Sequence, residues 1–359
     1  MSAARAGTAD TDLQGRRPTR RPLLEVEALE VTYTVHAGGL RNRALPLRAV
    51  NRVSFTLARG ETLGVVGESG AGKSTLARAV LGLTPVSAGR VRWRGEELTR
   101  LDAEQMRVRR RELQLVFQDP VSALDPRMTV GEILREPIAT FHPRMASIQV
   151  RERVRGMLKM VGILPHMINR YPHEFSAGQC QRIGIARALI LNPRLLVCDE
   201  PVSALDVSIQ AQIIDLLEDL QRKLQLSMIF IAHDLSIVRL ISDRVMVMYL
   251  GQVVELSPSD SLYDHPRHPY TQALIQSVPL PDPDYERARA DRGLRGEPPS
   301  PLFPPSGCAF HPRCPYAIDR CRTERPELRP FREGKVRCHR AEALAEGELE
   351  VPAADAGQS

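Results

Sequence analysis

The stretch "GESGAGKST", residues 67–75, constrains the fold more than any other part of the chain. It fits the pattern G-x-x-x-x-G-K-[ST], with Gly67, Gly72, Lys73 and Ser74 in the defining places. An apolar run, "TLGVVG", leads in and a helical pattern leads out, so a buried strand, a tight turn and a helix N-terminus follow one another. Glycines in such a turn let backbone N–H groups wrap a phosphate chain. Gly67, Ser69, Gly70, Gly72 and Thr75 are the candidate cradle, Lys73 the counter-charge for the outer phosphates, and Ser74 a ligand for Mg²⁺.

Two further apolar runs, "RLLVCDEP" and "SMIFIAHD", read as parallel strands covered on both faces, which implies an α/β sheet. The first ends in Asp199 and Glu200. At the carboxyl end of a buried strand, Asp199 can reach Mg²⁺ and Glu200 can polarise an attacking water. "EFSAGQCQRIGIARAL", residues 174–189, opens a helix at Ser176: Ser176 and Gln179 form a capping box, and apolar residues then recur at helical spacing. The first turn of that helix offers unpaired N–H groups and a positive dipole end, with Gly178 leaving room for an anion. Taken singly, these stretches also suit a Gly-rich turn, a solvated acidic loop and a well-capped surface helix. Their joint occurrence favours the chemical reading.

The 359 residues suffice for one large domain and an accessory one. Apolar residues make up 43% of the chain, but no run reaches the roughly 18 needed to span a bilayer, and the amino terminus lacks the apolar core of a secretory signal, so the expectation is a cytosolic protein. Net charge is +6 without a pattern of stacking aromatics, which argues against nucleic acid. Residues 1–22 and 346–359 read as disordered tails, 23–256 as the phosphate-binding domain with an all-helical subdomain at 119–190, and 257–345 as a separate, proline-dense extension. Alternation at 24–33 and 53–57 predicts antiparallel strands separated by an insertion, "HAGGLRNRALPLRAV", and "VMVMYLGQVVEL" a hairpin turning at Gly251–Gln252.

These motifs, in this order over residues 24–256, resemble the nucleotide-binding subunits of ABC transporters. Walker A is 67–74, the Q-loop "VFQDP" holds Gln118, the signature is "FSAGQ", Walker B is "LLVCDE", the D-loop "SALD" holds Asp206, and the switch histidine is His233 in "IAHD". The resemblance implies an α/β P-loop ATPase core with an antiparallel β subdomain, acting on ATP with Mg²⁺. Two subunits would dimerise head to tail, with Ser176, Gly178 and Gln179 facing the ATP of the partner. His233 is expected at the γ-phosphate and Gln118 at the Mg²⁺ and attacking water. Tyr33 either stacks on adenine or packs in its strand. The family usually carries two glycines after the signature serine, whereas Ala177 stands first here, so its Cβ alters the approach of the partner's phosphate and suggests a paralogous second ATPase with unequal sites.

"HPRHPYTQALIQSVP" and "GCAFHPRCPYAIDRC" resemble the tail of dipeptide and oligopeptide importer ATPases, a group that includes nickel importers. This implies two membrane permeases, an extracytoplasmic binding protein and attachment to the cytoplasmic face of the membrane. Cys308, Cys314, Cys321 and Cys338 have five, six and sixteen residues between them, unlike the close pairs of zinc fingers. Four thiolates suit a four-iron, four-sulfur cluster, which the tail resemblance favours, or zinc; unliganded thiols are the third reading. Cys180 and Cys198 read as buried packing residues. The rival functions are a nickel or other small-solute importer and a non-transport ABC ATPase.

Overall fold

The computed structural model describes residues 22–37, 43–277 and 296–347, so most of both expected tails falls outside the described residues. The chain opens with two long strands, β1 (Leu24–Ala37) and β2 (Arg43–Leu57), in antiparallel register from Leu24–Leu57 to Ala37–Arg43. The segment read as an insertion is thus largely strand: "RALPLRAV" continues the alternation of β2 back along β1. Next come β3 (Thr62–Val66), α1 (Lys73–Val80), β4 (Ala88–Trp93), β5 (Glu96–Glu97), α2 (Ala103–Arg110) and β6 (Leu113–Val116). Three helices follow, α3 (Val130–Phe141), α4 (Ser147–Met160) and α5 (Ala177–Leu189), with no strand among the described residues of 119–190, as the periodicity there predicts. The chain then returns through β7 (Leu195–Asp199), α6 (Val207–Leu224), β8 (Ser227–Ile231), α7 (Leu235–Ile241), β9 (Arg244–Tyr249) and β10 (Gln252–Pro258).

Strands β2-β1-β4-β5 form an antiparallel sheet. The larger sheet contains β10-β9-β3-β8-β7-β6, with β9, β3, β8, β7 and β6 parallel to one another. Its inner strands are buried on both faces and divide their residues between two cores by the two-residue period of a strand. Leu63, Val65, Leu195, Val197, Ile229 and Ile231 pack on the side of the antiparallel sheet and α1. Val66, Leu196, Cys198, Met228 and Phe230 pack on the side of the helical subdomain. Cys180 and Cys198 lie in this second core, as expected of small apolar residues.

Beyond β10 lie α8 (Ser259–Asp264), α9 (Pro269–Gln276) and, later, β11 (Arg329–Phe331) and β12 (Gly334–Val336). The extension read as separate is built into the ATPase fold. Strand β10 runs past residue 256, and β12 pairs with it through Glu255–Val336 and Leu256–Lys335, so β11 and β12 complete one edge of an eight-stranded sheet. Phe310, only 2% exposed, packs edge-on against Tyr249 of β9 at 5.3 Å and against Tyr270 of α9 at 5.3 Å.

Candidate functional site

Three adjacent parallel strands carry the predicted chemistry at their carboxyl ends, the place where open α/β sheets bind ligands. Strand β3 runs into the 67–75 loop, β7 ends at Asp199 and Glu200, and β8 leads to His233. Gly72 caps α1 with φ 95°, and a Cβ there would stand 2.1 Å from the carbonyl oxygen of Ala49, so only glycine lets the loop turn against β2.

Lys73 is buried and its Nζ donates to the carbonyls of Gly67 at 2.7 Å and Glu68 at 3.1 Å, 3.9 Å from Glu200 Oε1. Burial lowers the Lys73 pKa, and the negative charges of Glu200, Asp199 and Glu68 oppose that shift. Ser74 Oγ donates to Asp199 Oδ1 at 2.7 Å across 125 residues of sequence. A hydroxyl and a buried carboxylate thus converge beside the loop, an all-oxygen set that fits Mg²⁺. Gln118 Nε2 donates to Glu200 Oε2 at 3.0 Å. Glu200 itself has φ 49°, a conformation uncommon outside glycine. It is held there by its N–H on the Ile231 carbonyl at 3.0 Å and by Ser203, whose Oγ donates to its carbonyl at 3.1 Å.

Tyr33, Ser69, Gly70, Gly72, Lys73, Ser74, Thr75, Gln118 and Glu200 share one cleft of about 410 Å³. Leu47, Arg48 and, from the extension, Pro301 also line it, and no local spacing marks these three. A larger groove of about 600 Å³, between Ala79 and Arg110, holds none of the predicted site residues. Tyr33 is exposed on this cleft. His233 and Asp206 are exposed but lie outside its lining, with Asp206 capping α6 by its backbone alone.

The signature helix starts as read. Ser176 caps α5, with Gln179 N–H donating to Ser176 Oγ at 3.3 Å and Ser176 N–H to Gln179 Oε1 at 3.0 Å. Ser176 and Ala177 are exposed and leave the first turn accessible. Gly178 differs from expectation: it is buried, and a Cβ on it would meet Ile209 Cγ2 of α6 at 2.5 Å. The packing of α5 on α6 takes the space on the Cβ side of Gly178, which the sequence alone leaves open to a ligand.

In the extension, Cys308 N–H donates to the Cys321 carbonyl at 2.8 Å, and Arg340 N–H to Cys338 Sγ at 3.3 Å. Burial pushes the thiols of Cys314 and Cys338 up to about 12, and the neighbouring cysteines push them the same way. Among the described residues no group of three or more His, Cys, Asp or Glu side chains is arranged to hold a metal ion. The zinc alternative therefore finds no site among the described residues, and the expected cluster gains no support there.

Residues 50–203 match the ABC transporter family, and residues 254–321 match the oligopeptide/dipeptide transporter C-terminal region. The chain is 54% identical over 327 residues to the oligopeptide transport ATP-binding protein OppF of Escherichia coli, covering 90% of this chain and 98% of that one. It is 53% identical over 306 residues to OppF of Haemophilus influenzae, covering 85% and 92%. Among solved structures, the ATP-binding cassette MJ0796, dimeric and bound to ADP and Pi, aligns with TM-score 0.59 at 27% identity over 66% of this chain and 98% of that one. CbiO1 of Clostridium perfringens aligns with the same score and identity over 68% and 91%. Fold, motifs and relatives agree, and the chain belongs to the ABC transporter ATPases, in the oligopeptide transporter group.

Proposed function

We propose that this chain is the ATP-hydrolysing subunit of an importer for oligopeptides or dipeptides. The observation that carries the reading is the C-terminal match over residues 254–321, because the ATPase core alone is shared by transporters of many solutes. Among the described residues no helix is long and apolar enough to cross a membrane. The transport path would therefore lie in other subunits: two permeases, a second ATPase and an extracytoplasmic binding protein, with this chain on the cytoplasmic face of the membrane.

The loop N–H groups and Lys73 bind the triphosphate, and Tyr33 lies against the base. Ser74 and Asp199 would hold Mg²⁺, which would supply charge neutralisation at the outer phosphates. Glu200 takes a proton from the attacking water, with Gln118 orienting its carboxylate and His233 reaching the γ-phosphate as the subunits close. Ser176, Gln179 and the N–H groups of the α5 first turn, including that of Gly178, serve the partner's nucleotide, with Asp206 at the subunit contact. Closure follows from the higher affinity of the closed dimer for ATP, and hydrolysis reverses it.

For the extension we propose that Cys308, Cys314, Cys321 and Cys338 ligate a four-iron, four-sulfur cluster. A cluster is larger than a single ion, so its ligands stand farther apart than those of zinc, and the N–H directed at Cys338 Sγ suits a thiolate ligand. Anaerobically purified protein should then hold about four irons per chain; iron-free protein would leave free thiols.

The transport reading is tested by reconstituting the full complex in liposomes. ATP-dependent uptake of a labelled oligopeptide is expected. Uptake of Ni²⁺ without peptide would replace the proposed substrate, and ATPase activity independent of permeases would point to a non-transport role.

A further inference from the structure

We propose that Arg313, in the C-terminal extension, is a positioning residue of the nucleotide site, acting through Glu68 of the phosphate loop. Its guanidinium grips the Glu68 carboxylate with two hydrogen bonds, Nη1 to Oε2 at 2.7 Å and Nη2 to Oε1 at 3.1 Å, across 245 residues of sequence. The Arg313 side chain is 5% exposed and that of Glu68 25%. The grip is one of several on the same loop residue. Glu68 N–H donates to Tyr270 Oη at 2.9 Å, and its carbonyl accepts from Lys73 Nζ at 3.1 Å and from the Ala71 N–H at 3.1 Å. Arg313 and Lys73 are therefore joined through one residue.

The support beneath Arg313 is rigid. Its N–H donates to the Phe310 carbonyl at 3.0 Å, Phe310 packs against both Tyr249 and Tyr270, whose rings also touch each other at 4.7 Å, and the guanidinium lies 6.0 Å from the Tyr249 ring centre. The charges make this contact matter for ligand binding. Glu68 puts a carboxylate inside the loop that has to receive a polyanion, and repulsion there would weaken binding. A bidentate guanidinium cancels that charge and fixes the loop backbone at the same point. A merely structural strut would fix the backbone without needing the charge to cancel.

The inference rests on the reading of residues 67–75 as the nucleotide loop, and the experiment separates the two. Affinity of the full chain for radiolabelled Mg-ATP is measured by equilibrium dialysis, together with melting temperature. Arg313→Met should weaken binding about tenfold or more, since it leaves the Glu68 carboxylate uncompensated, while the hydrolysis rate at saturating ATP changes little. In a Glu68→Gln background the same substitution should cost less than about twofold, because no charge remains to cancel. Arg313→Lys, which keeps the charge and loses the fork, should fall between wild type and Arg313→Met. If Arg313→Met does not fold, the lysine variant in both backgrounds answers the same question. Wild-type affinity in Arg313→Met, or an equal loss in both backgrounds, overturns the proposal. Unchanged affinity in Lys73→Ala would overturn the loop assignment itself.

Discussion

Gln118 and Glu200 are bonded to each other, amide Nε2 to carboxylate Oε2 at 3.0 Å, although 82 residues separate them. One enters from the end of β6 and the other from the end of β7, neighbouring strands whose parallel register brings both to the same edge of the cleft. The side chain proposed to orient the base therefore touches it directly.

Glu200→Gln should leave ATP binding nearly intact and slow hydrolysis roughly 10²-fold or more, since an amide cannot take the proton. Single-turnover hydrolysis alongside nucleotide binding checks this. Turnover near the wild-type rate would remove Glu200 from the role of base.

Ala177→Gly should change the ATPase rate of the assembled transporter and leave the intrinsic nucleotide affinity of this chain unaltered. Ala177 is exposed at the first position of α5 and lies outside the lining of the chain's own cleft. An altered affinity in isolated chains together with unaltered turnover in the complex would contradict a role in trans.

Gly178→Ala should destabilise the chain by about 1–3 kcal/mol, as overpacking does, because the new methyl meets Ile209 Cγ2 at 2.5 Å. Adding Ile209→Ala should recover much of that loss. Urea unfolding of the single and double variants decides it, and an ATPase defect without any loss of stability would return the glycine to a ligand role.

A pH-dependent term comes from Glu255, fully buried beneath the turn that carries Arg267 and His268. Burial raises its carboxyl pKa from 4.5 to about 7, although the N–H groups of Arg267 and His268 donate to it. The folded chain thus holds this proton more tightly than the unfolded chain, so the Glu255 contribution is largest below pH 4.5 and is lost as pH rises through about 7. His268, lowered by burial to about 3, contributes the opposite slope. Comparing wild type with Glu255→Gln isolates the carboxyl. The variant should gain about 3 kcal/mol relative to wild type between pH 4.5 and 8, and parallel stability curves would show that the shift is absent.

What could be read from sequence was local. The phosphate loop, the Asp199–Glu200 pair and the Ser176–Gln179 box each sit within a few residues, and their backbone chemistry survives folding unchanged. The hairpin was legible but misplaced by one position. Its turn is Leu250–Gly251, with φ of 44° and 75°, and a leucine in the left-handed region is not a turn signal. Gly178 shows a different limit, since the sequence marks a missing side chain without saying which neighbour fills the space. The Arg313–Glu68 contact was out of reach, because no spacing rule joins residues 245 positions apart.

The pairing of β12 with β10 also bears on how the chain is made. Until Val336 has left the ribosome, β10 presents an open sheet edge, and exposed edges invite pairing with other chains. A nascent chain halted near residue 256 would hold every nucleotide motif and still carry that unprotected edge. The ATPase core and its extension are therefore expected to mature as one folding unit, and the importer tail acts as the core's own built-in guard against aggregation.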